Sequence, residues 1–203
     1  MLSVLRMPPP SSSALHPSTW AALEKSGVLQ SMEHGLIQDF YGTQRARRSQ
    51  MPLMSHIHEG LAVILYTGAS LQAMRAFCLH PLVQSDTDLK RQYAHITQAL
   101  EPIPDGAFVL GLAMEYRSVA NEYLSHQPMP PEGIRLSPLE EVNAMLVGDK
   151  VQNRKDFELY HAETHERRAR LAEYFQQWCQ ALRIEPLYPR LKEMLQGAAW
   201  SNP

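Results

Sequence analysis

Asp149 lies seven residues after Val142 and three after Leu146, a spacing that puts a carboxylate on the apolar stripe of a helix. An ionised carboxylate in a core costs stability unless it is paired, hydrogen-bonded or bound to a metal. Asn153 follows one turn later on the same face. Two histidines have comparable settings. His56 flanks the face formed by Ile57, Leu61, Ile64 and Leu65, and His80 follows the stripe of Leu71, Met74 and Cys78. Pro81 is expected to stop regular helical hydrogen bonding there and leave His80 at a helix end. Two imidazoles and one carboxylate from three helices are a ligand set that borderline divalent metals accept. On periodicity alone, an Asp149 paired with an arginine or lying at the edge of the buried face stands beside this reading. An open iron site would use the same three side chains.

Other polar groups carry weaker signals. His58 ranks behind His56 because it faces another side of the same helix. His161, Glu163 and His165 have helical spacing, but Glu166, Arg167 and Arg168 around them mark a solvated face without the HExxH order of zinc proteases. Arg45, Arg47 and Arg48 read, on charge pattern, as a solvated basic loop. Trp20, Trp178 and Trp200 are expected to be packing residues, and no glycine-rich phosphate loop or nucleophile elbow occurs.

The elements that must hold these groups are helical. A Pro- and Ser-rich stretch, residues 1–16, reads as a disordered tail, and a single all-α bundle is expected over 17–203. Pro17-Ser18 begins a first helix that Gly27 ends, and a second covers Leu29 to Tyr41. Leu53 to Tyr66 is a third, ended by Gly68, and Ser70 caps the next. Helices are expected over Leu89 to Leu100 and Ala107 to Leu124. Ser137-Pro138-Leu139-Glu140 is a capping box that opens the helix carrying Asp149. Glu166 to Leu182 and Pro189 to Leu195 complete the set, with no period-two segment and no repeat.

Composition narrows the function. A chain of 203 residues with net charge -2 has no broad cationic field of the kind a dedicated nucleic-acid binder needs. Two isolated cysteines, Cys78 and Cys179, form no disulfide framework or metal knuckle and suit a reducing, cytoplasmic compartment. No apolar run reaches the ~20 residues of a membrane span, and the N-terminus lacks the apolar core of a secretory signal.

In order along the chain, three segments resemble the hydrolase domain of RelA/SpoT-type (p)ppGpp hydrolases, including the small stand-alone alarmone hydrolases, within the HD superfamily. Arg47-Arg48-Ser49-Gln50-Met51-Pro52-Leu53-Met54-Ser55-His56 resembles the family's Arg-Lys-Ser-Gly-x-Pro-Tyr-Ile-x-His. Cys78-Leu79-His80-Pro81-Leu82-Val83-Gln84-Ser85-Asp86 resembles Leu-Leu-His-Asp-x-Val-Glu-Asp-Thr, and Gly148-Asp149-Lys150-Val151-Gln152-Asn153 resembles Ala-Asp-Lys-x-x-Asn. The matched segments bracket residues 41 to 160, and their order is more specific than any one of them.

The resemblance implies that His56, His80 and Asp149 bind a divalent metal, manganese by family habit, for hydrolysis of a nucleotide or pyrophosphate ligand. It places Arg47, Arg48, Lys150 and Asn153 beside the substrate, and Gln84, Ser85 and Asp86 at the catalytic positions. The chain departs from the pattern where Pro81 stands for the metal-binding Asp and Gln84-Ser85 for the Glu-Asp pair that activates water. Asp86, or Glu59 one turn beyond His56, is the carboxylate that would compensate. A non-catalytic domain binding a nucleotide or a protein is the alternative that these losses favour.

Overall fold

The structure, a computed structural model, describes residues 15–47 and 49–200. Nine α-helices are found among them: α1 (Pro17–Ser26), α2 (Met32–Tyr41), α3 (Leu53–Tyr66), α4 (Leu71–Gln84), α5 (Asp86–Leu100), α6 (Gly106–Glu122), α7 (Glu140–Tyr160), α8 (Arg168–Ala181) and α9 (Tyr188–Leu195). No strand occurs among the described residues, so the chain is all-α. No helix there is long and apolar enough to cross a membrane. Residues 1–14 of the expected tail lie outside the described residues. Its last two are engaged: Leu15 is buried, and His16 Nδ1 accepts the Ser18 backbone N–H at 3.2 Å to cap α1.

Local chemistry sets most helix ends. Gly27 takes the left-handed conformation, φ 82°, that glycine tolerates best. The second helix starts at Met32, not Leu29, because the Ser31 side chain accepts from the His34 N–H and leaves Val28–Gln30 as a 3-10 turn. Ser70 caps α4 through the Ala73 N–H, and Ser85 caps α5 through the Asp88 N–H. The capping box expected at Ser137 is replaced by a different device. The Ser137 Oγ donates to Glu115 and accepts from Leu139 N–H, Asn143 bonds the Ser137 backbone, and the helix opens at Glu140.

Pro81 does not end its helix, as α4 continues to Gln84. Pro81 removes only its own N–H bond to the carbonyl of Phe77, and the burial of Leu82 and Val83 holds the last turn in place. His80 therefore sits inside a buried helix.

The core is organised on α3, α4 and α7. In α4, residues 73–80 are buried without interruption, and in α7 residues 145–152 are. A helix buried all round lies inside a bundle. Helices α3 and α7 cross at two glycines. A Cβ on Gly148 would lie 2.9 Å from the Gly60 carbonyl oxygen and 2.8 Å from Ile64 Cγ1, and one on Gly60 would lie 2.3 Å from Phe77 Cζ. Glycine at 148 permits the approach of the two backbones, and glycine at 60 makes room for the Phe77 ring of α4. The approach brings the first turn of α3, with His56, against the middle of α7, with Asp149 and Gln152.

Candidate metal centre

Three helices deliver the three expected ligands to one point. His56 on α3, His80 on α4 and Asp149 on α7 each offer a donor atom, and all these atoms lie within 4.8 Å of one another. The two Nε2 atoms are 3.2 Å apart, and His56 Nε2 is 3.7 Å from Asp149 Oδ1. An ion about 2.1 Å from each donor separates adjacent ligands by roughly 3.0–3.5 Å, so the spacing fits a shared cation. His80 and Asp149 are buried, and the His56 side chain is 19% exposed.

The outer nitrogens fix which lone pairs face inward. His80 Nδ1 lies 2.6 Å from the Phe77 carbonyl oxygen, which can only accept, so Nδ1 carries the proton. His56 Nδ1 lies 2.6 Å from Gln152 Oε1. The Gln152 amide is oriented by its own nitrogen, which donates to Glu59 Oε2 at 3.1 Å and Asp156 Oδ2 at 2.8 Å, so Oε1 is again an acceptor. His80 thus turns an unprotonated Nε2 towards His56, and His56 turns its own Nε2 towards both His80 and Asp149. A divalent ion seated beside these two nitrogens, 3.2 Å apart, would be met by both rings at once, and hydrogen bonding of the far ring nitrogen is the usual support of a metal-binding histidine. Burial, with His56 adding to it, pushes His80 down to about 3 and keeps that ring neutral for binding.

Asp149 is held as a carboxylate. Burial opposes its charge, yet Lys150, His56 and His80 outweigh burial and lower its pKa below the ordinary carboxylate range. Oδ2 pairs with Lys150 Nζ at 2.8 Å, while Asn153 donates to Oδ1 at 2.7 Å. Lys150 is itself buried, 4.7 Å from the Trp178 ring centroid and 3.3 Å from the Tyr174 hydroxyl, which it reaches as a donor. Burial would lower its pKa, but Asp149 raises it and keeps it charged.

The ligands open on a cavity of about 510 Å3 whose walls include Tyr41, Leu53, Pro81, Tyr116, Leu124 and Tyr174. Burial first and then Asp149 raise the phenol pKa values of Tyr116 and Tyr41, the latter also through Asp88, so both face the site as neutral donors. A larger groove of about 820 Å3 between α5 and α6 contains none of the ligands.

The remaining expected residues divide. Lys150 and Asn153 line the cavity, although their polar atoms are bonded to Asp149. Gln84 and Ser85 also line it, but Gln84 donates to Asn121 Oδ1 at 2.5 Å and Ser85 caps α5. Asp86 is exposed, pairs with Arg117 and is not in the cavity wall. The acid in the wall on that side is Asp88, which accepts from the Ser85 hydroxyl at 2.6 Å. Arg47 is exposed and outside the wall, and Arg48 lies outside the described residues. Glu59 is fully buried and pairs with Lys155 at 2.8 Å, reaching His56 only through Gln152. His161 and His165 lie in the turns after Tyr160, outside any helix and away from the cavity wall.

Sequence reasoning missed Gln152, Tyr116 and Tyr174. Gln152 had a usable signal, since position 152 follows Asp149 by three and lies on the same helical face as Asn153. The tyrosines come from distant segments and had none.

His58 points away from the centre, to His34, with Nε2 atoms 3.2 Å apart and the Trp20 ring edge-on at 4.7 Å. Burial, then His34, pushes His58 down to about 4 from an ordinary value of 6.5, and burial lowers His34 too. The unfolded chain takes up protons below 6.5 where folded His58 does not. The contribution of His58 is therefore full above that pH and falls as pH drops towards about 4, by at most about 3 kcal/mol, with His80 and His34 adding losses of the same sign. Urea unfolding across this range should show the combined loss, and His58→Gln should reduce it by the share of His58.

Comparison of the chain with protein-family models, with curated proteins and with solved structures gives no match.

Proposed function

We propose that the chain is a metal-dependent phosphohydrolase whose substrate is a nucleotide or a (p)ppGpp-like pyrophosphate. The observation that carries this reading is the convergence of two imidazole Nε2 atoms, 3.2 Å apart, beside a charged carboxylate, opening on a cavity large enough for a nucleotide. A divalent ion held there supplies Lewis-acid polarisation of a phosphoryl oxygen and acidifies water. The residues of the chain do the rest. His56, His80 and Asp149 would hold the ion, with Asp149 steadied by the Tyr116 hydroxyl, Tyr41 would offer a phenol donor to an anionic group, and Asp88 in the cavity wall is the carboxylate that would accept a proton.

The test is metal analysis of the purified chain followed by a nucleotide panel with added manganese, reading released phosphate or pyrophosphate. Turnover that requires the metal is expected. A chain that takes up no divalent ion, or one that takes it up and releases neither product from any nucleotide, overturns the proposal. One observation favours a second reading, a binding domain without turnover: Gln84, Ser85 and Asp86 are all committed to bonds that hold the fold. Saturable nucleotide binding without product would establish that reading instead.

A further inference from the structure

Pro81 stands beside a ligand, has no donor atom, and sits in the interior of a buried helix, where proline is costly. In a regular helix the N–H of residue 81 would bond the carbonyl of residue 77. Proline has no N–H, and its ring crowds that same carbonyl. The Phe77 carbonyl is the group that His80 Nδ1 reaches at 2.6 Å. It is therefore free of its helical donor and available to the imidazole one turn on.

We infer that Pro81 is a positioning residue for the metal centre, which vacates the Phe77 carbonyl so that His80 donates to it from Nδ1 and turns Nε2 towards His56 and Asp149. The inference deepens the metal reading above and rests on it for its meaning. The imidazole cannot turn over without losing this bond, because its neighbours are closely packed. Phe77 and Tyr116 flank it at ring-centroid distances of 4.4 and 5.0 Å. The two histidines are then supported by different devices: a glutamine clamped by two carboxylates for His56, and a carbonyl released by proline for His80.

The test is Pro81→Ala in the full chain, with two readouts. In the metal-free protein, nitrogen-15 spectra of the His80 ring at neutral pH report which nitrogen bears the proton. Cobalt(II) titration, followed by visible absorbance, reports affinity. The native ring is expected to be protonated on Nδ1. In Pro81→Ala the new N–H competes for the Phe77 carbonyl, the Nε2-protonated form becomes populated, and cobalt affinity falls about 10–100-fold. Alanine is the better helix former, so thermal melting is expected to show a fold at least as stable as the native one. A proline of merely structural importance predicts no change in either readout.

An unchanged tautomer, or unchanged affinity, in Pro81→Ala overturns the inference. So does a native His80 protonated on Nε2. If the native chain binds no cobalt at all, the metal reading falls, while the tautomer comparison still decides the role of Pro81.

Discussion

Lys150→Met is expected to destabilise the metal-free protein by about 3–5 kcal/mol, the usual cost of leaving one member of a buried ion pair without its partner. Lys150 and Asp149 are 6% and 5% exposed, so water cannot take the place of the missing ammonium. Methionine keeps much of the length and the contact with Trp178, which confines the loss to charge. The distinguishing result lies in the response to metal. A divalent ion neutralises Asp149 in place of the lysine, so manganese should raise the unfolding free energy of Lys150→Met more than that of the native chain. Chemical denaturation with and without the ion reads both effects. A variant as stable as native without metal would show that Asp149 does not depend on Lys150 for its charge.

His80→Ala and Asp149→Asn are expected to lose metal affinity by more than the ~10–100-fold typical of supporting residues, leaving no stoichiometric binding at micromolar metal. The two should differ without metal. His80→Ala removes the facing lone pair and opens a small void beside Phe77 and Tyr116. Asp149→Asn strands the Lys150 ammonium, which retains the Tyr174 hydroxyl and the aromatic faces. It is expected to be destabilised in the manner of Lys150→Met, but without rescue by manganese, because the ligand itself is gone. Equilibrium dialysis gives the affinities and denaturation the stabilities. Retention of a bound ion by either variant would move the centre elsewhere.

The interdependence of these residues follows from where they sit. Helix α7 is buried on every side over 145–152, so Asp149, Lys150 and Gln152 each need partners inside the protein. Lys150 goes to Asp149 and Tyr174, and Gln152 to His56, Glu59 and Asp156. Tyr174 passes the chain on by donating to the Tyr123 carbonyl at 3.0 Å, tying α8 to the end of α6. The His56, His80 and Asp149 cluster, supported in this way, is continuous with the core, and a change in it should be felt as stability.

The sequence determined the helical class and singled out the three candidate donors. Periodicity put Asp149 on a buried face, the helix of Leu53 to Tyr66 follows from its apolar pattern, and Gly27 and Ser70 mark ends through chemistry confined to a few residues. Local rules failed at Pro81, where burial of the following turn outweighed the missing hydrogen bond, and at Ser137, where Glu115 and Asn143 drew the expected cap into other bonds. Only the tertiary structure decided that His56, His80 and Asp149 meet, and which nitrogen of each ring faces inward. Ring orientation depends on the far hydrogen bond, and for His56 that bond goes to Gln152, 96 residues away. The donor atoms are a property of residue type and can be read along the chain. The direction of their lone pairs is a property of packing, and it exists only once α3, α4 and α7 are together.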